Sequence, residues 1–350
     1  MKLFVTGATG FVGRYAAARL IERGHRLVCA VRPASQVDDL TRLGATLAPV
    51  DLQDRRALRP AMDGCDGVIH MAGVYSFWEP DPDAYRRVNV EGTRAVLEAA
   101  LEAGVGTVVL ASTMLVYGTP ADRPFTEDSA PGPVRLSAYA ESKYWADQLA
   151  WRLHHERGLP LVALYPGSVA GPGDPKASGQ YIASLLRRRL PAAMLPDSVL
   201  TFVDVRDVAE AIARAAERGG SGAKYLVGRE RVTFGAYNRL IGEIAGVPLP
   251  RLGLPDALAR ASARALTGLA DITKRPPLWG SAADMVRTIG AGVEGDGGKI
   301  ERELGLRYTP LRRTLEDTIA SYRAAGVVPA ARRLRGPYAV GQTGHEQPPM

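Results

Sequence analysis

Short apolar runs and longer segments with helical periodicity alternate along the first half of the chain. Short apolar runs predict buried β-strands, and apolar positions three and four residues apart predict helices. The predicted strands are Leu3–Thr6, Arg26–Val31, Thr46–Val50, Gly67–Met71, Thr107–Ala111 and Pro160–Leu164. The predicted helices are Phe11–Arg23, Val37–Leu43, Arg55–Met62, Tyr85–Ala103 and Tyr139–Glu156. This alternation predicts an α/β fold with a doubly wound parallel sheet.

The pattern changes after about residue 229, where short helices are joined by proline and glycine connectors. Before that point, the predicted strands Leu200–Val203 and Lys224–Val227 enclose a helix from Val208 to Arg218. Beyond it, the helix-like stretch Leu254–Ala270 has one apolar face, which we expect either to cover a pocket or to form the core of a smaller lobe. That face consists of Leu258, Ala261, Ala265, Leu266 and Leu269.

Three glycines follow the first predicted strand at three-residue spacing: Gly7, Gly10 and Gly13. A strand, a glycine-rich turn and a helix in this order predict the dinucleotide-binding turn of a Rossmann-type domain. The first glycine permits the tight turn, the second lets a pyrophosphate approach, and the third lets the helix lie close to the strand. The helix N-terminus offers free N–H groups to phosphate. We expect the dinucleotide to contact Gly7, Thr9, Gly10, Phe11, Val12 and Gly13.

This turn defines the predicted domains. We expect a dinucleotide-binding domain of residues 1–166 and 200–228. A smaller, mostly helical substrate lobe takes residues 167–199 and 229–328. Residues 329–350, which are rich in arginine, glycine and proline, are expected to form a disordered tail.

The end of the second strand favours NADP over NAD, although NAD stays possible. NAD binders of this fold place an acidic residue there for the ribose 2′-hydroxyl. Here no acid occurs, Arg32 follows Val31 at once, and Ser35 adds a hydroxyl. A guanidinium can bind a 2′-phosphate bidentately, whereas a carboxylate would repel it.

Later strand ends should line the same crevice, because the carboxyl ends of parallel strands share one edge of the sheet. Asp51 and Leu52 follow the third strand, where an adenine would lie. Met71, Ala72 and Gly73 end the fourth strand, with small residues where the cofactor would cross the sheet edge.

Tyr139 and Lys143 are the candidate acid/base pair. They lie four residues apart and therefore on one face of the predicted helix. A phenol titrates near ~10, and a nearby ammonium stabilises its phenolate, so we expect Lys143 to lower the pKa of Tyr139. Ser112 and Thr113 follow the fifth strand, and a hydroxyl there would meet the substrate oxygen beside Tyr139. The alternative is that these hydroxyls only satisfy loop backbone groups.

Composition argues against several function classes. The net charge of +7 comes mostly from arginines interleaved with acids, so we expect no nucleic-acid partner. No apolar run reaches the ~18 residues of a membrane span, and we expect no membrane partner. No signal peptide fits the first residues, and the two cysteines suit a reduced cytoplasmic interior. Cys29 and Cys65 are not in a metal-ligand spacing, so we expect no metal site.

Seven motifs then occur in the order typical of one superfamily: TGATGFVG, HMAG, VNVEGT, STMLVYG, YAESK, YPGSVAGPGD and FVDVRDVA. The chain resembles the extended short-chain dehydrogenase/reductases, and within them the NAD(P)-dependent epimerase/dehydratase family. The resemblance covers Lys2 to about Ala325. Within the family, VRPAS and Phe77–Asp83 resemble the dihydroflavonol-reductase-like proteins, which include those labelled hopanoid-associated sugar epimerases.

The resemblance implies roles for further residues. Tyr139 would be the acid/base, and Lys143 would assist it and bind the nicotinamide ribose. Thr113 would be the catalytic hydroxyl residue, and Asn89 would match the helix asparagine near the active site. Tyr165, Pro166, Gly167 and Ser168 match the loop under the nicotinamide carboxamide. The resemblance also implies a homodimer formed through the helices Tyr85–Ala103 and Tyr139–Glu156.

The expected substrate is a mainly apolar small molecule whose ketone or aldehyde is reduced, or whose alcohol is oxidised. Tyr75, Phe77 and Trp78 follow the fourth strand and could wall the pocket together with Thr113 and Met114. Packing between the lobes is an equally open interpretation of these aromatics. Two alternatives stay open: a sugar-nucleotide epimerase or dehydratase, and a non-catalytic dinucleotide sensor. The segment Leu195–Thr201 lacks the Gln/Arg contacts usual in nucleotide-sugar members.

Overall fold

The computed structural model describes residues 1–328, so the predicted tail of residues 329–350 lies outside the described residues. Seven parallel strands form the main sheet in the order β10-β6-β5-β4-β1-β2-β3. They are β1 (Lys2–Thr6), β2 (Arg26–Val31), β3 (Thr46–Pro49), β4 (Gly67–His70), β5 (Thr107–Ala111), β6 (Leu161–Pro166) and β10 (Ala223–Val227). The prediction of an α/β fold with a doubly wound parallel sheet is confirmed.

Helices cover both faces of this sheet because each strand is apolar on both sides. They are α1 (Phe11–Glu22), α2 (Asp38–Arg42), α3 (Arg55–Ala61), α4 (Thr93–Ala103), α5 (Ala138–Arg157) and α7 (Val205–Arg218). A π-helical segment, Tyr85–Gly92, leads directly into α4. The predicted helix Tyr85–Ala103 is therefore present, but its first half has a wider helical turn.

The strand order reverses between β1 and β4. Strand β1 pairs in parallel with β2 on one side and with β4 on the other. In open α/β sheets, ligands bind at the carboxyl ends of the strands where the order reverses. The glycine turn leaves β1 at this point, and Met71-Ala72-Gly73 leaves β4 beside it.

The predicted strand Leu200–Val203 is present as β9 (Val199–Asp204), but it does not join the main sheet. It pairs in parallel with β7 (Ser168–Ala170) and antiparallel with β11 (Glu230–Thr233). The chain therefore leaves the main sheet after β6, forms this small sheet, and returns through α7 to β10. Because β9 comes from one predicted domain and β7 and β11 from the other, this small sheet joins the two.

The remaining elements lie mostly after this sheet. They are α6 (Ala177–Leu186), β8 (Ala193–Met194), α8 (Phe234–Ala245), β12 (Gly253–Leu254), α9 (Asp256–Thr273), α10 (Ala283–Ala291), α11 (Gly298–Leu304) and α12 (Leu311–Ala324). Arg206 ties α12 to the start of α7, since its guanidinium contacts both Asp204 and Asp317. Within residues 1–328, every helix is too short or too polar to cross a bilayer.

The apolar face predicted for Leu254–Ala270 differs from the structure. Helix α9 packs on the protein through small side chains, Ala259, Ala263 and Ala270. Leu258 and Leu269 are each more than half exposed. The face neither covers the pocket nor forms the core of the lobe, because alanines allow a close approach that places the larger residues outward.

Candidate active site

The glycine turn has the geometry that the dinucleotide fingerprint requires. Gly7 has a φ of +76°, and a Cβ on it would lie 2.6 Å from the backbone nitrogen of Ala72. A Cβ on Gly13 would lie 1.9 Å from the carbonyl oxygen of Gly7. Helix α1 begins with no side-chain cap and no acid in its first turn. Its first N–H groups are therefore available to a phosphate, and a pyrophosphate fits this turn.

The predicted adenosine-binding residues lie at the carboxyl ends of β2 and β3. Arg32 is exposed directly after β2, and its N–H donates to the Ser35 hydroxyl over 3.2 Å. Asp51 is exposed after β3 and accepts from the N–H of Gln53. Leu52 is half-buried against Gly92. Thr9 is exposed in the turn after β1. These residues thus share the sheet edge at which the glycine turn lies.

A series of buried hydrogen bonds links the carboxyl ends of β1 and β4, where the cofactor is expected to cross the sheet edge. His70 is fully buried, with Nδ1 2.7 Å from the Thr6 hydroxyl and Nε2 2.9 Å from the Thr93 hydroxyl. The Thr6 hydroxyl also accepts from the N–H of Ala72. Burial, with a smaller contribution from Lys143, lowers the pKa of His70 to about 3. A neutral imidazole therefore joins β1, β4 and α4.

Asn89 holds the active-site loop rather than facing the crevice. Its Oδ1 accepts from the N–H of Val74 over 2.7 Å, and its Nδ2 donates to the carbonyl oxygen of Val74. The same Nδ2 donates to the Ser142 hydroxyl, which donates in turn to the carbonyl oxygen of Tyr139. Asn89 therefore fixes the loop after β4 against the first turn of α5.

Thr113, Tyr139 and Lys143 line one inner cavity of about 320 Å³. The Thr113 hydroxyl accepts from the N–H of Leu115, which leaves its own proton free to donate. Lys143 is buried and donates from Nζ to the carbonyl oxygen of Ala111 over 2.9 Å. No hydrogen-bond partner of the Tyr139 hydroxyl occurs among residues 1–328. Two hydroxyl-bearing side chains and a lysine therefore line the same cavity.

Burial dominates the titration of this pair. It raises the pKa of Tyr139, with smaller contributions from Tyr75 and Tyr85. It lowers the pKa of Lys143 to about 8, opposed by the carboxylate of Asp147. The lowered pKa of Tyr139 that the spacing predicts is therefore not found in the protein alone, because the loss of hydration on burial dominates the pKa of this phenol.

The same cavity is bounded by the glycine turn on one side and by apolar side chains on the other. Gly7, Gly10, Phe11, Val12, Gly13, Met71, Gly73, Ser112, Pro166, Gly167 and Ser168 form the side toward the sheet edge. The opposite side includes Tyr75, Phe77, Met114, Tyr181, Leu200, Phe202, Phe234, Tyr237, Ile289 and Val293. Among the described residues that line this cavity, Lys143 and Lys176 have cationic side chains.

Trp78 and Tyr165 lie elsewhere. Trp78 lines an outer cavity of about 1090 Å³, which adjoins the inner one and shares Tyr75 and Phe77 with it. The Tyr165 side chain is buried in the core, where its hydroxyl accepts from Nε1 of Trp151 over 2.9 Å. The sequence pattern could not distinguish these directions, because it locates a loop without orienting each side chain.

The profile of the NAD dependent epimerase/dehydratase family matches residues 3–228, which is more than half of the chain. The chain belongs to this family. As an epimerase/dehydratase-family protein it is an NAD(P)-dependent oxidoreductase of the extended short-chain dehydrogenase/reductase type, and both the predicted resemblance and the predicted enzyme class are confirmed.

Two relatives and one solved structure of similar proteins cover almost the whole chain. A "putative dihydroflavonol 4-reductase" of Synechocystis sp. is 33% identical over 93% of this chain and 95% of its own length. Sterol demethylase protein B of Methylococcus capsulatus is 30% identical over 94% of this chain and 100% of its own. The crystal structure of gox2253 has a TM-score of 0.80 at 36% identity, covering 93% of this chain and 99% of that one.

Asp147 is a buried acid that the sequence reasoning did not consider, and it lines a separate cavity with Trp151 rather than the inner one. It lies one turn beyond Lys143 on α5, is buried, and has no hydrogen-bond partner for Oδ1 among residues 1–328. Burial raises the pKa of Asp147 to about 6, and the nearby hydroxyls of Tyr165 and Ser112 and the charges of Lys224 and Lys143 oppose this rise. The four-residue spacing Tyr139–Lys143–Asp147 is the signal that could have identified it.

The apolar wall was missed for a different reason. Phe202, Phe234 and Tyr237 come from β9 and α8, which are remote in sequence from the catalytic helix. Phe202 and Tyr237 stack with ring centroids 4.4 Å apart. These rings reach the cavity because β9 pairs outside the main sheet. No local sequence pattern predicts that pairing.

Proposed function

We propose that this protein is an NADP(H)-dependent reductase of a ketone or aldehyde on a mainly apolar small molecule, working in reverse on the alcohol. The observation that carries the proposal is the inner cavity. Its catalytic hydroxyls face a wall of aromatic and aliphatic side chains. Such a wall suits a planar or alicyclic carbonyl compound, because burying apolar surface favours binding by about 25 cal/mol per Å².

The names of the relatives support this substrate class. One names a dihydroflavonol reductase and another a sterol demethylase protein, and both dihydroflavonols and sterols are ring compounds. A nucleoside diphosphate sugar brings two or more negative charges. Apart from the catalytic lysine, Lys176 is the one cation in the described lining of the inner cavity. The lining therefore favours an uncharged substrate.

Each catalytic side chain has a distinct role in the reduction. A bound nicotinamide dinucleotide supplies the hydride. Thr113 donates a hydrogen bond to the carbonyl oxygen, and Tyr139 donates a hydrogen bond and then its proton to the same oxygen. Lys143, protonated below pH 8, stabilises the phenolate that is left. Tyr139 then recovers a proton from water, and the substrate carbon ends as an alcohol.

The proposed cofactor contacts follow the sheet edge. The turn from Gly7 to Gly13 would hold the pyrophosphate, and Arg32 with Ser35 would hold a 2′-phosphate. Asp51 and Leu52 would flank the adenine. Met71, Ala72, Gly73, Ser112 and the residues Pro166, Gly167 and Ser168 would lie along the nicotinamide half. Tyr165 would support that half only through its backbone, because its side chain points into the core.

Consumption of NADPH tests the proposal directly. We expect the purified protein to oxidise NADPH with some apolar ketones or aldehydes and not with nucleotide sugars. Interconversion of sugar nucleotides with no net NADPH consumption, and with NAD retained after purification, would overturn the proposal in favour of an epimerase. Binding of NADPH without turnover of any substrate class would favour a sensor.

Arg32→Ala tests the cofactor choice. Loss of charge-assisted hydrogen bonds worth about 1.5–3 kcal/mol should weaken NADPH binding by about 10–100-fold and leave NADH binding unchanged. Nucleotide fluorescence titrations measure both. Arg26→Ala, at the opposite end of β2, is the matched control and should change neither affinity. Equal losses for NADH and NADPH would contradict a 2′-phosphate contact.

We also propose a cytoplasmic homodimer. The two cysteines are free and buried, which fits a reducing compartment. Trp145 is more than half exposed on α5, one of the two helices expected at the subunit interface.

A further inference from the structure

Helix α9 carries two apolar faces, of which only one is covered. Ala259, Ala263 and Ala270 are buried against the protein. The outer face has a second stripe, spaced three and four residues apart, that runs the length of the 18-residue helix. It consists of Leu258, Ala261, Ala265, Leu269 and Ile272, all of them exposed. A helix with this pattern has an unpartnered apolar surface.

Exposed apolar residues concentrate in this region. Of the eight large apolar side chains that the structure describes as exposed, five fall in the segment 252–278. Ile272 is the most exposed of them at 81%. Leu252 and Leu278, which lie in the segments before and after the helix, are also more than half exposed. Apolar side chains clustered in this way mark an interaction surface, whereas isolated ones do not.

Basic residues accompany the stripe. Segment 251–278 contains Arg251, Arg260, Arg264, Lys274 and Arg275 against two acids, Asp256 and Asp271. Asp271 accepts a hydrogen bond from Nε1 of Trp78. Among residues 1–328, none of the five basic side chains has a carboxylate within ion-pair distance. Unpaired cations beside exposed leucine and isoleucine are the combination by which interfacial helices bind anionic bilayers.

The surface also adjoins the route to the active site. Pro276, Pro277 and Gly280, which follow α9 directly, line the outer cavity. That cavity shares Tyr75, Phe77 and Met285 with the inner cavity that contains Tyr139. An apolar molecule in the outer cavity would therefore lie next to the inner cavity that the catalytic hydroxyls line.

We propose that the α9 surface, defined as residues 251–278, docks on the surface of an anionic lipid bilayer. The stripe enters the interface, and the basic residues contact lipid phosphates. A second copy of the chain fits less well, because a two-fold contact would bring the same unpaired cations together. The sequence led us to expect no membrane partner, but that expectation concerned spanning segments. Delivery of the substrate from the bilayer rests on the proposed function, whereas docking does not.

Sedimentation with lipid vesicles tests the docking. The intact chain should bind vesicles of phosphatidylcholine mixed with phosphatidylglycerol, should bind pure phosphatidylcholine far less, and should be released by salt. Ile272→Glu and Leu269→Glu should abolish binding. Lys274→Glu combined with Arg275→Glu should weaken it by at least about fivefold per residue, since each basic residue near an anionic surface contributes about that factor.

Control variants elsewhere on the protein distinguish docking through the α9 surface from non-specific adsorption to lipid. Val134→Glu and Arg218→Glu replace an exposed apolar and an exposed basic residue outside the segment, and both should bind vesicles like the parent chain. All variants should keep the thermal unfolding midpoint of the parent chain, which shows that they fold. Because vesicle binding is measured without substrate, its outcome is independent of the reductase assay.

Three outcomes would overturn the proposal. The parent chain could fail to bind anionic vesicles. Ile272→Glu and Val134→Glu could lose binding equally. Alternatively, Ile272→Glu could dissociate an oligomer in the absence of lipid, which would assign the surface to a second copy.

Discussion

Tyr139 is a buried phenol whose hydroxyl faces the cavity beside Thr113. Tyr139→Phe removes the transferred proton but keeps the ring that packs edge-on against Tyr75 at 5.1 Å. We expect turnover to fall by about 10²–10⁴-fold, the usual contribution of a positioned acid or base, with little change in NADPH affinity. Steady-state assays and fluorescence titration measure the two effects.

Tyr75→Phe is the matched control for that change. It removes a hydroxyl from the neighbouring ring in the same cavity, yet Tyr75 has no proton-transfer role in the proposed mechanism. Turnover should fall far less than in Tyr139→Phe. If both variants lost activity equally, general disruption of the aromatic pair would explain the result, and Tyr139 would not be the acid.

Asp147 should set the upper pH limit of the reaction through Lys143. Lys143 loses its proton as the pH rises through about 8, while Asp147 is ionised above about 6 and raises the pKa of Lys143. We therefore expect kcat/KM to be highest between these values and to fall above 8. Asp147→Asn removes the negative charge, so the pKa of Lys143 falls and the alkaline decline shifts to lower pH.

Measurement of kcat/KM against pH reports the free enzyme, to which these pKa values belong. Glu141→Gln is the control on the same helix, because Glu141 is exposed to solvent. Its profile should match that of the parent enzyme. A parallel loss at all pH values in Asp147→Asn, without a shift, would show that Asp147 acts only by packing.

At the level of elements, Gly13 couples helix α1 to the turn that precedes it. Alanine there would place Cβ 1.9 Å from the Gly7 carbonyl oxygen, a backbone atom that cannot move without deforming the turn. We expect Gly13→Ala to lower the free energy of unfolding by about 1–3 kcal/mol and to weaken NADPH binding. Thermal unfolding and nucleotide titration measure these changes.

Gly268→Ala is its counterpart in an exposed helix. A Cβ at Gly268 meets nothing within 4 Å, so alanine should stabilise α9 by about 1 kcal/mol and leave NADPH binding unchanged. A Gly13→Ala variant that bound NADPH normally would mean that α1 can shift outward, which would contradict the close packing of helix and strand.

The inner strands of the main sheet could be predicted because they are buried on both faces and read as apolar runs, whereas the edge strand β3 is only half-buried or exposed. The bounds of β2 and β5 agree with the prediction at both ends. The pairing of β9 and the outward stripe of α9 could not be predicted in this way. Periodicity reveals that a helix has an apolar face, but it does not say whether protein, lipid or solvent lies against it.

The residues of the candidate site likewise divide into those that a local sequence pattern predicts and those that depend on the tertiary fold. Residues carried by a motif, such as Thr113, Tyr139 and Lys143, do line one cavity, because each lies next to a strand end or in the first two turns of α5. The side chains of Asn89 and Tyr165 do not line this cavity and instead form hydrogen bonds within the scaffold. Asp147 depends on burial, which a spacing alone cannot reveal.

For the whole molecule, the expected homodimer interface and the α9 surface should be independent. The interface would use α4, α5 and the π-helical segment before α4, with Trp145 exposed at its centre. Sedimentation equilibrium should give twice the 37.4 kDa mass of the chain. Because a central tryptophan commonly contributes at least about 2 kcal/mol to an interface, Trp145→Glu should weaken the dimer by about 30-fold or more.

Ile272→Glu decides whether the two surfaces are separate. Ile272→Glu introduces the same charge as Trp145→Glu, and Ile272 is more exposed than Trp145. Ile272 lies on α9, which the proposed interface does not include. The dimer should persist in this variant while binding to anionic vesicles is lost, and Trp145→Glu should show the reverse pattern. A monomer in both variants would place α9 at the subunit interface, because a lipid-docking helix has no reason to affect assembly in lipid-free buffer.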